Sequence, residues 1–289
     1  MSESILATIQ VSLDDLRWMI KQSSINSAFL HAVITEHRVD IFSVSPVEKR
    51  RTYNSFNEFY FARINVYDDF GIHTSFHAGD ILRAIKNLEI NNTNQLIRIE
   101  ILGERTDNLG DFEKTLATEI RIHGGISWDI YCPQFDTPEY VTQFSKRFSD
   151  SDIYLDEQQT RKYEVEIKIP VSQINTLVKR MDDRFQKGLY IICVKNEQLV
   201  LTLKEKHGTG SIIFNPYSLS GPDVLNYYTE EFRNVFDQIQ GDVTMYTDPE
   251  EKELAVVHSE REGCTIRHAI EAIGVEGKLS LYPQNKKYS

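Results

Sequence analysis

The chain has 289 residues, which suits two domains of ordinary size, and its 40% apolar content is enough to pack their cores. No apolar run approaches the roughly 18 residues of a membrane span, so no membrane partner is expected. The net charge of −11 argues against a protein that holds nucleic acid through a broadly basic surface. Cys132, Cys193 and Cys264 are odd in number and widely spaced, which excludes a disulfide framework and offers no metal-ligand spacing. The start, MSESILATIQ, lacks a basic stretch followed by an apolar one. Buried thiols in a reducing intracellular compartment are therefore expected, nucleus or, for a microbial or viral chain, cytoplasm.

Residues 5–11 alternate apolar and polar and predict a strand, which runs straight into an amphipathic helix over roughly 12–23. Strands follow over 28–34, 39–44 and 58–67, with a hairpin candidate at Glu36-His37-Arg38. A second helix spans roughly 79–88, and strands follow over 96–102 and 115–122, separated by the polar insertion 103–114. Residues 133–162 break the pattern, with two prolines and no sustained period, and read as an interdomain connecting linker. The linker is nevertheless rich in large apolar side chains, including Phe135, Phe144, Ile153, Tyr154 and Leu155, and so reads as functional. Beyond it come a strand over 163–169, a helix over roughly 171–186, strands over 189–194, 199–203 and 211–215, a helix over roughly 229–240 and a strand over 254–259. A second hairpin candidate is Lys195-Asn196-Glu197.

The second half repeats the first. At a fixed offset Ile9 meets Ile167, Val11 meets Ile169, Leu13 meets Val171, Leu16 meets Ile174 and Ile20 meets Val178. Further on, Ile81, Ala84, Ile85 and Leu88 fall on Phe232, Val235, Phe236 and Ile239. Such duplication predicts two similar domains, 1–132 and 163–289, each with two strand-helix-strand-strand units.

Catalytic signatures are missing. There is no H-E-x-x-H, no G-x-S-x-G, no P-loop and no G-x-G-x-x-G. Gly208-Thr209-Gly210 precedes a strand, so it lacks the helix N-terminus that a phosphate cradle uses. No enzyme, no cofactor and no metal are expected. The basic residues carry more information, because they lie opposite the apolar stripes of the helices. Arg17 and Lys21 share one polar face. Arg83 and Lys86 project from the second helix, Lys179, Arg180, Arg184 and Lys187 from the third, and Arg233 from the fourth. With all helices on one side of continuous sheets, these form a modest basic track suited to sequence-independent phosphate contacts.

The stretch KYEVEIKIPVSQINTLVKRM…GLYIICVKNEQLVLTLKEKHGTGSIIFNPYS, residues 162–218, resembles the start of the second domain of DNA sliding clamps of the proliferating-cell-nuclear-antigen (PCNA) type. VSLDDLRWMIK, VDIFSVSP and FGIHTSFHAGDILRAIKNL resemble the first domain, and GKLSLYP the C-terminal strand. The resemblance implies an α+β processivity fold with helices on one face of antiparallel sheets. It further implies a homotrimeric ring that encircles double-stranded DNA and tethers a DNA polymerase, a clamp loader and other replication or repair proteins. Arg17, Lys21, Arg83, Lys86, Lys179, Arg180, Arg184, Lys187 and Arg233 would then line the hole. The strand bearing Thr115, Ile120 and Ile122 would pair with that bearing Ser211 and Ile213 in the next subunit. Val44, Ile153, Tyr154, Leu155, Leu281 and Pro283 would wall a groove for partner peptides. A subunit of a heterotrimeric checkpoint clamp and a monomeric polymerase accessory factor are the alternatives.

Overall fold

The computed structural model describes residues 4–45, 50–67, 71–88, 95–104, 115–124, 127–132, 163–178, 189–204, 209–228, 231–237, 239–247 and 253–272. These form two compact units. One comprises Met1–Ser45, Arg51–Thr160 and Arg261–Ile266, and the other Pro46–Arg50, Arg161–Glu260 and Arg267–Ser289.

In chain order the first half contains β1 (Ser4–Ser12), α1 (Leu13–Ser23), β2 (Phe29–Ile34), β3 (Arg38–Ser45), β4 (Arg50–Asn57), a 3-10 turn (Glu58–Tyr60), β5 (Arg63–Val66), β6 (Ile72–His77), α2 (Ala78–Leu88), β7 (Leu96–Glu104), β8 (Thr115–His123) and β9 (Ser127–Tyr131). The second half contains β10 (Val165–Pro170), α3 (Val171–Val178), β11 (Leu189–Lys195), β12 (Gln198–Lys204), β13 (Thr209–Phe214), β14 (Ser218–Ser220), β15 (Val224–Tyr228), α4 (Glu231–Phe236), β16 (Asp242–Thr247), β17 (Glu253–His258) and β18 (Cys264–Glu271).

In the first unit the strand order is β4-β3-β2-β6-β8-β7-β1-β5, with β9 on β8 and residues Cys264–Ile266 of β18 beside β4. The β1–β7, β2–β3, β7–β8 and β8–β9 ladders are antiparallel, whereas β6 meets β8 in parallel at Ile72 and Thr115. Strand alternation sends Ile9, Val11, Ile97, Ile99, Ile101, Ile120 and Ile122 to one side. The helices cover that side with Leu13, Leu16 and Ile20 from α1 and Ile81, Ala84, Ile85 and Leu88 from α2. Ser12 caps α1 by accepting a 3.0 Å bond from the Asp15 amide, and Asp14 and Asp15 complement the positive helix end.

The second unit repeats this chemistry. Its sheets run β14-β10-β16-β17-β18 and β13-β12-β11-β15. Ile167, Ile169, Val171, Ile174, Phe232, Val235, Phe236 and Ile239 share one core, with the Phe232 and Phe236 rings 4.5 Å apart. The hairpin at 195–197 closes β11 on β12 through Asn196 and Glu197, at φ 49° and 62°. Two successive positive φ values are the signature of a type I′ turn, whose twist matches that of the strands.

Two expectations change. Residues 58–67 are not one strand but the 3-10 turn followed by β5, and β4 before them is a strand. The polar string RRTYNSFN hides that strand because Arg50 and Asn54 are buried with polar partners, Glu231 and Ser23. The fourth helix is shorter than 229–240, and the third helix beyond 178 lies outside the described residues. Among the described residues no helix is long and apolar enough to cross a membrane.

Candidate nucleic-acid and subunit interfaces

The polar faces of α1 and α2 carry the basic residues, and α1 and α2 pack against each other. Lys21 sits exposed in the last turn of α1, and Lys86 in that of α2, where cations oppose the negative helix end. Arg83 is 73% exposed and only 4.0 Å from Asp80, a solvent-screened pair that leaves its charge largely available. Arg17 differs: it bonds Asp14 at 3.0 Å within its own helix. Arg233 likewise bonds Asp237 at 3.1 Å. Lys179, Arg180, Arg184 and Lys187 lie outside the described residues. Of the expected track, Lys21, Arg83 and Lys86 are exposed on the adjoining helices α1 and α2.

A cluster beside α1 was not visible in the sequence. The Arg261 guanidinium lies 4.6 Å over the Trp18 ring and pairs with Asp15, while the Tyr60 hydroxyl donates to the Asp15 carbonyl at 2.8 Å. Burial pushes the Tyr60 phenol far above its ordinary range, with the Asp15 carboxylate adding to the effect. In the second unit a buried polar cluster joins Arg50 to Glu231 at 3.3 Å, both less than a tenth exposed. Near it His258 and His268 stack with ring centroids 5.5 Å apart. Burial lowers the His258 pKa to about 4 and pushes that of His268 well below its usual value. Both rings are therefore neutral near pH 7.

The expected interface strand is corrected. Thr115, Ile120 and Ile122 are 3%, 4% and 0% exposed. β8 bonds β7 along one side and β6 and β9 along the other, so it offers no free edge. The chain adds the five-residue strand β9, too short to stand out in the sequence, and β9 pairs only with β8 among the described residues. Its Tyr131 is 79% exposed. The other expected strand does lie at an edge: β13 pairs only with β12 among the described residues, Ser211 is exposed, and Ile213 is 64% exposed.

Of the expected groove, Val44 is half-buried on β3. Ile153, Tyr154, Leu155, Leu281 and Pro283 lie outside the described residues. Among the described residues no three His, Cys, Asp or Glu side chains are grouped to hold a metal ion.

No protein-family model matches the chain, and no curated protein does. Solved structures do. PCNA of A. fulgidus, bound to the C-terminal region of FEN-1, aligns over 93% of this chain and 99% of its own, with a TM-score of 0.64 at 9% identity. The proliferating cellular nuclear antigen of Entamoeba histolytica aligns over 94% and 100%, with a TM-score of 0.64 at 7% identity. The PCNA2–PCNA3 complex of Sulfolobus tokodaii gives 92% and 98%, with a TM-score of 0.58 at 11% identity. The chain has the α+β fold of the PCNA sliding clamps.

Proposed function

We propose that this chain is a sliding clamp, a processivity factor that closes into a ring around duplex DNA and tethers replication proteins. The observation that carries the reading is an asymmetry between the repeats. β4 follows the hairpin β2–β3 just as β13 follows β11–β12, and β18 follows β16–β17 just as β9 follows β7–β8. In the first unit the outer edge of β4 is covered by Cys264–Ile266 of β18, and the Asn57 amide donates to the Gly263 carbonyl at 2.8 Å. The equivalent strands β13 and β9 keep open edges among the described residues. Open edges invite strand pairing between chains, and a head-to-tail contact that closes makes a ring. β9 of one copy laid on β13 of the next supplies the missing ladder.

The charge pattern suits encirclement. A particle of net charge −11 repels DNA over most of its surface, while Lys21, Arg83 and Lys86 offer weak, sequence-independent phosphate contacts from the helices. Retention then comes from topology. The test is loading onto nicked circular DNA in the presence of a clamp loader. The protein should stay bound at high salt and leave when the circle is cut. Equal loss from circle and line removes encirclement. The Sulfolobus structure is a complex of PCNA2 with PCNA3; for this chain, assembly with an unlike subunit is separated from a homotrimer by the solution mass of the purified chain.

The same reading makes Val44 part of the docking surface for polymerase and other partner peptides. A few apolar anchors dominate such sites. Val44→Asp, or deletion of residues 281–289, should abolish peptide binding in calorimetry and leave assembly unchanged. Equal affinity for wild type and both variants rules the groove out.

A further inference from the structure

On the sheet face away from the helices of the first unit, three side chains are joined in a relay that the clamp reading does not use. Ser127 Oγ lies 2.7 Å from His123 Nδ1, and His123 Nε2 lies 3.0 Å from Glu100 Oε2. The strands impose this geometry. His123 and Ser127 are cross-strand partners on β8 and β9, and Arg98 on β7 is the partner of His123 on its other side. Side chains directly opposite in a ladder stand within contact, and Glu100 is one diagonal step further along the same face. A Cβ on Gly124 would come within 3.3 Å of Ile97 and Leu88, so Gly124, which follows His123, sits close over the core. One tautomer satisfies both bonds: Nε2–H donates to the carboxylate, and the Nδ1 lone pair accepts the serine hydroxyl. Glu100 is 8% exposed and held on its other oxygen by Arg98 at 2.7 Å, so the carboxylate is fixed. Ser127 itself is exposed.

We infer that Ser127 is an activated nucleophile that accepts acyl groups from small carboxylic esters, with His123 as its general base and Glu100 as the residue that positions the imidazole. The requirement for such chemistry is a nucleophile bonded to a base that a third group orients, and all three links are present. In the first step Ser127 Oγ attacks the ester carbonyl carbon and its proton passes to His123 Nδ1. The Oγ–C bond forms, the bond to the alkoxy oxygen breaks, and the alcohol leaves with the proton returned by His123. Water then attacks the acyl-serine by the same route and releases the carboxylic acid. Ser127 lies on β9, the strand proposed to meet β13 of the next copy, so acylation is read on dilute monomer, where its outcome is separate from that of ring closure.

The probe is p-nitrophenyl acetate on the full-length protein, read by nitrophenol release, intact mass and peptide mapping. One acetyl group should appear on the peptide bearing Ser127. Ser127→Ala and His123→Gln should each lower acylation by about 100-fold, the size of a general-base contribution. Glu100→Gln should lower kcat with little change in KM, because the ring it orients no longer holds the tautomer that accepts the serine proton, and Glu100→Asp should restore part of the rate. Circular dichroism melting confirms that each variant is folded; Ser127→Ala, at an exposed site, decides the matter alone. Nitrophenol release by Ser127→Ala at the wild-type rate, or acetyl groups spread over lysines with none on Ser127, overturns the inference.

Discussion

Replacing Ile213 by Ser tests ring closure at its most exposed apolar point. The side chain is 64% exposed on the edge strand β13, opposite Val200 of β12. Complete burial of an isoleucine side chain is worth about 2 kcal/mol, so covering the exposed part against a neighbouring strand contributes about 1.3 kcal/mol per interface. In a trimeric ring the contact occurs at every junction, which makes about 4 kcal/mol, or about 1000-fold in the association constant of monomers to trimer. The midpoint concentration varies as the square root of that constant and should rise about 30-fold. Light scattering across a dilution series reads the midpoint directly. Serine removes apolar area without altering the backbone, so far-ultraviolet circular dichroism should be unchanged. Leu225→Ser is the control: Leu225 is 54% exposed but lies on β15, at the opposite side of the same sheet. It should leave assembly untouched. A wild-type midpoint for Ile213→Ser, or equal shifts for the two variants, refutes pairing through β13.

Lys21→Glu combined with Lys86→Glu should weaken retention on circular DNA and flatten its salt dependence, while Arg17→Ala, whose charge is already bonded to Asp14, should do less. Unchanged loading of the double variant removes the basic track from the function. The stacked histidines predict an acid limb of stability. His258 and His268 titrate lower in the folded chain than unfolded, with Arg50 and Glu260 around them. The unfolded chain therefore binds more protons, and stability present at pH 7 falls as pH drops from 6.5 toward about 4. Urea unfolding of His258→Phe across that range should show a shallower slope, and an identical slope contradicts the assignment.

The strands and helices of the repeat were legible because their buried faces follow simple periods. Ile9 and Ile167, Leu16 and Ile174, and Ile85 and Phe236 all occupy core positions. The exposed cations Lys21, Arg83 and Lys86 were legible for the same reason, as the complement of those stripes. What stayed hidden was polar and buried, or short. β4 and β18 carry Arg50, Asn54, Arg267 and His268 inward, which breaks the apolar alternation that marks a strand. β9 has five residues, and without it β8 passes for an edge. The Asp15–Arg261 pair joins positions 246 apart, and the relay of Glu100, His123 and Ser127 exists only once three strands are in register. No local pattern encodes either.

The return of residues Arg261–Ile266 to the first unit bears on how the protein is made. The segment brings the Gly263 carbonyl to the Asn57 amide, the Arg261 guanidinium to Asp15, and Cys264 and Ile266 into the core that Leu16 and Phe56 already share. Synthesis proceeds from the N-terminus at about 5–20 residues per second. The N-terminal half therefore leaves the ribosome incomplete and waits for nearly the whole chain before β4 gains its outer neighbour. During that interval an unpaired strand is exposed to other nascent chains. An expression fragment ending at residue 132 would keep that exposure permanently. Supplying residues 261–266 in trans, or by circular permutation that joins them before β1, would remove it.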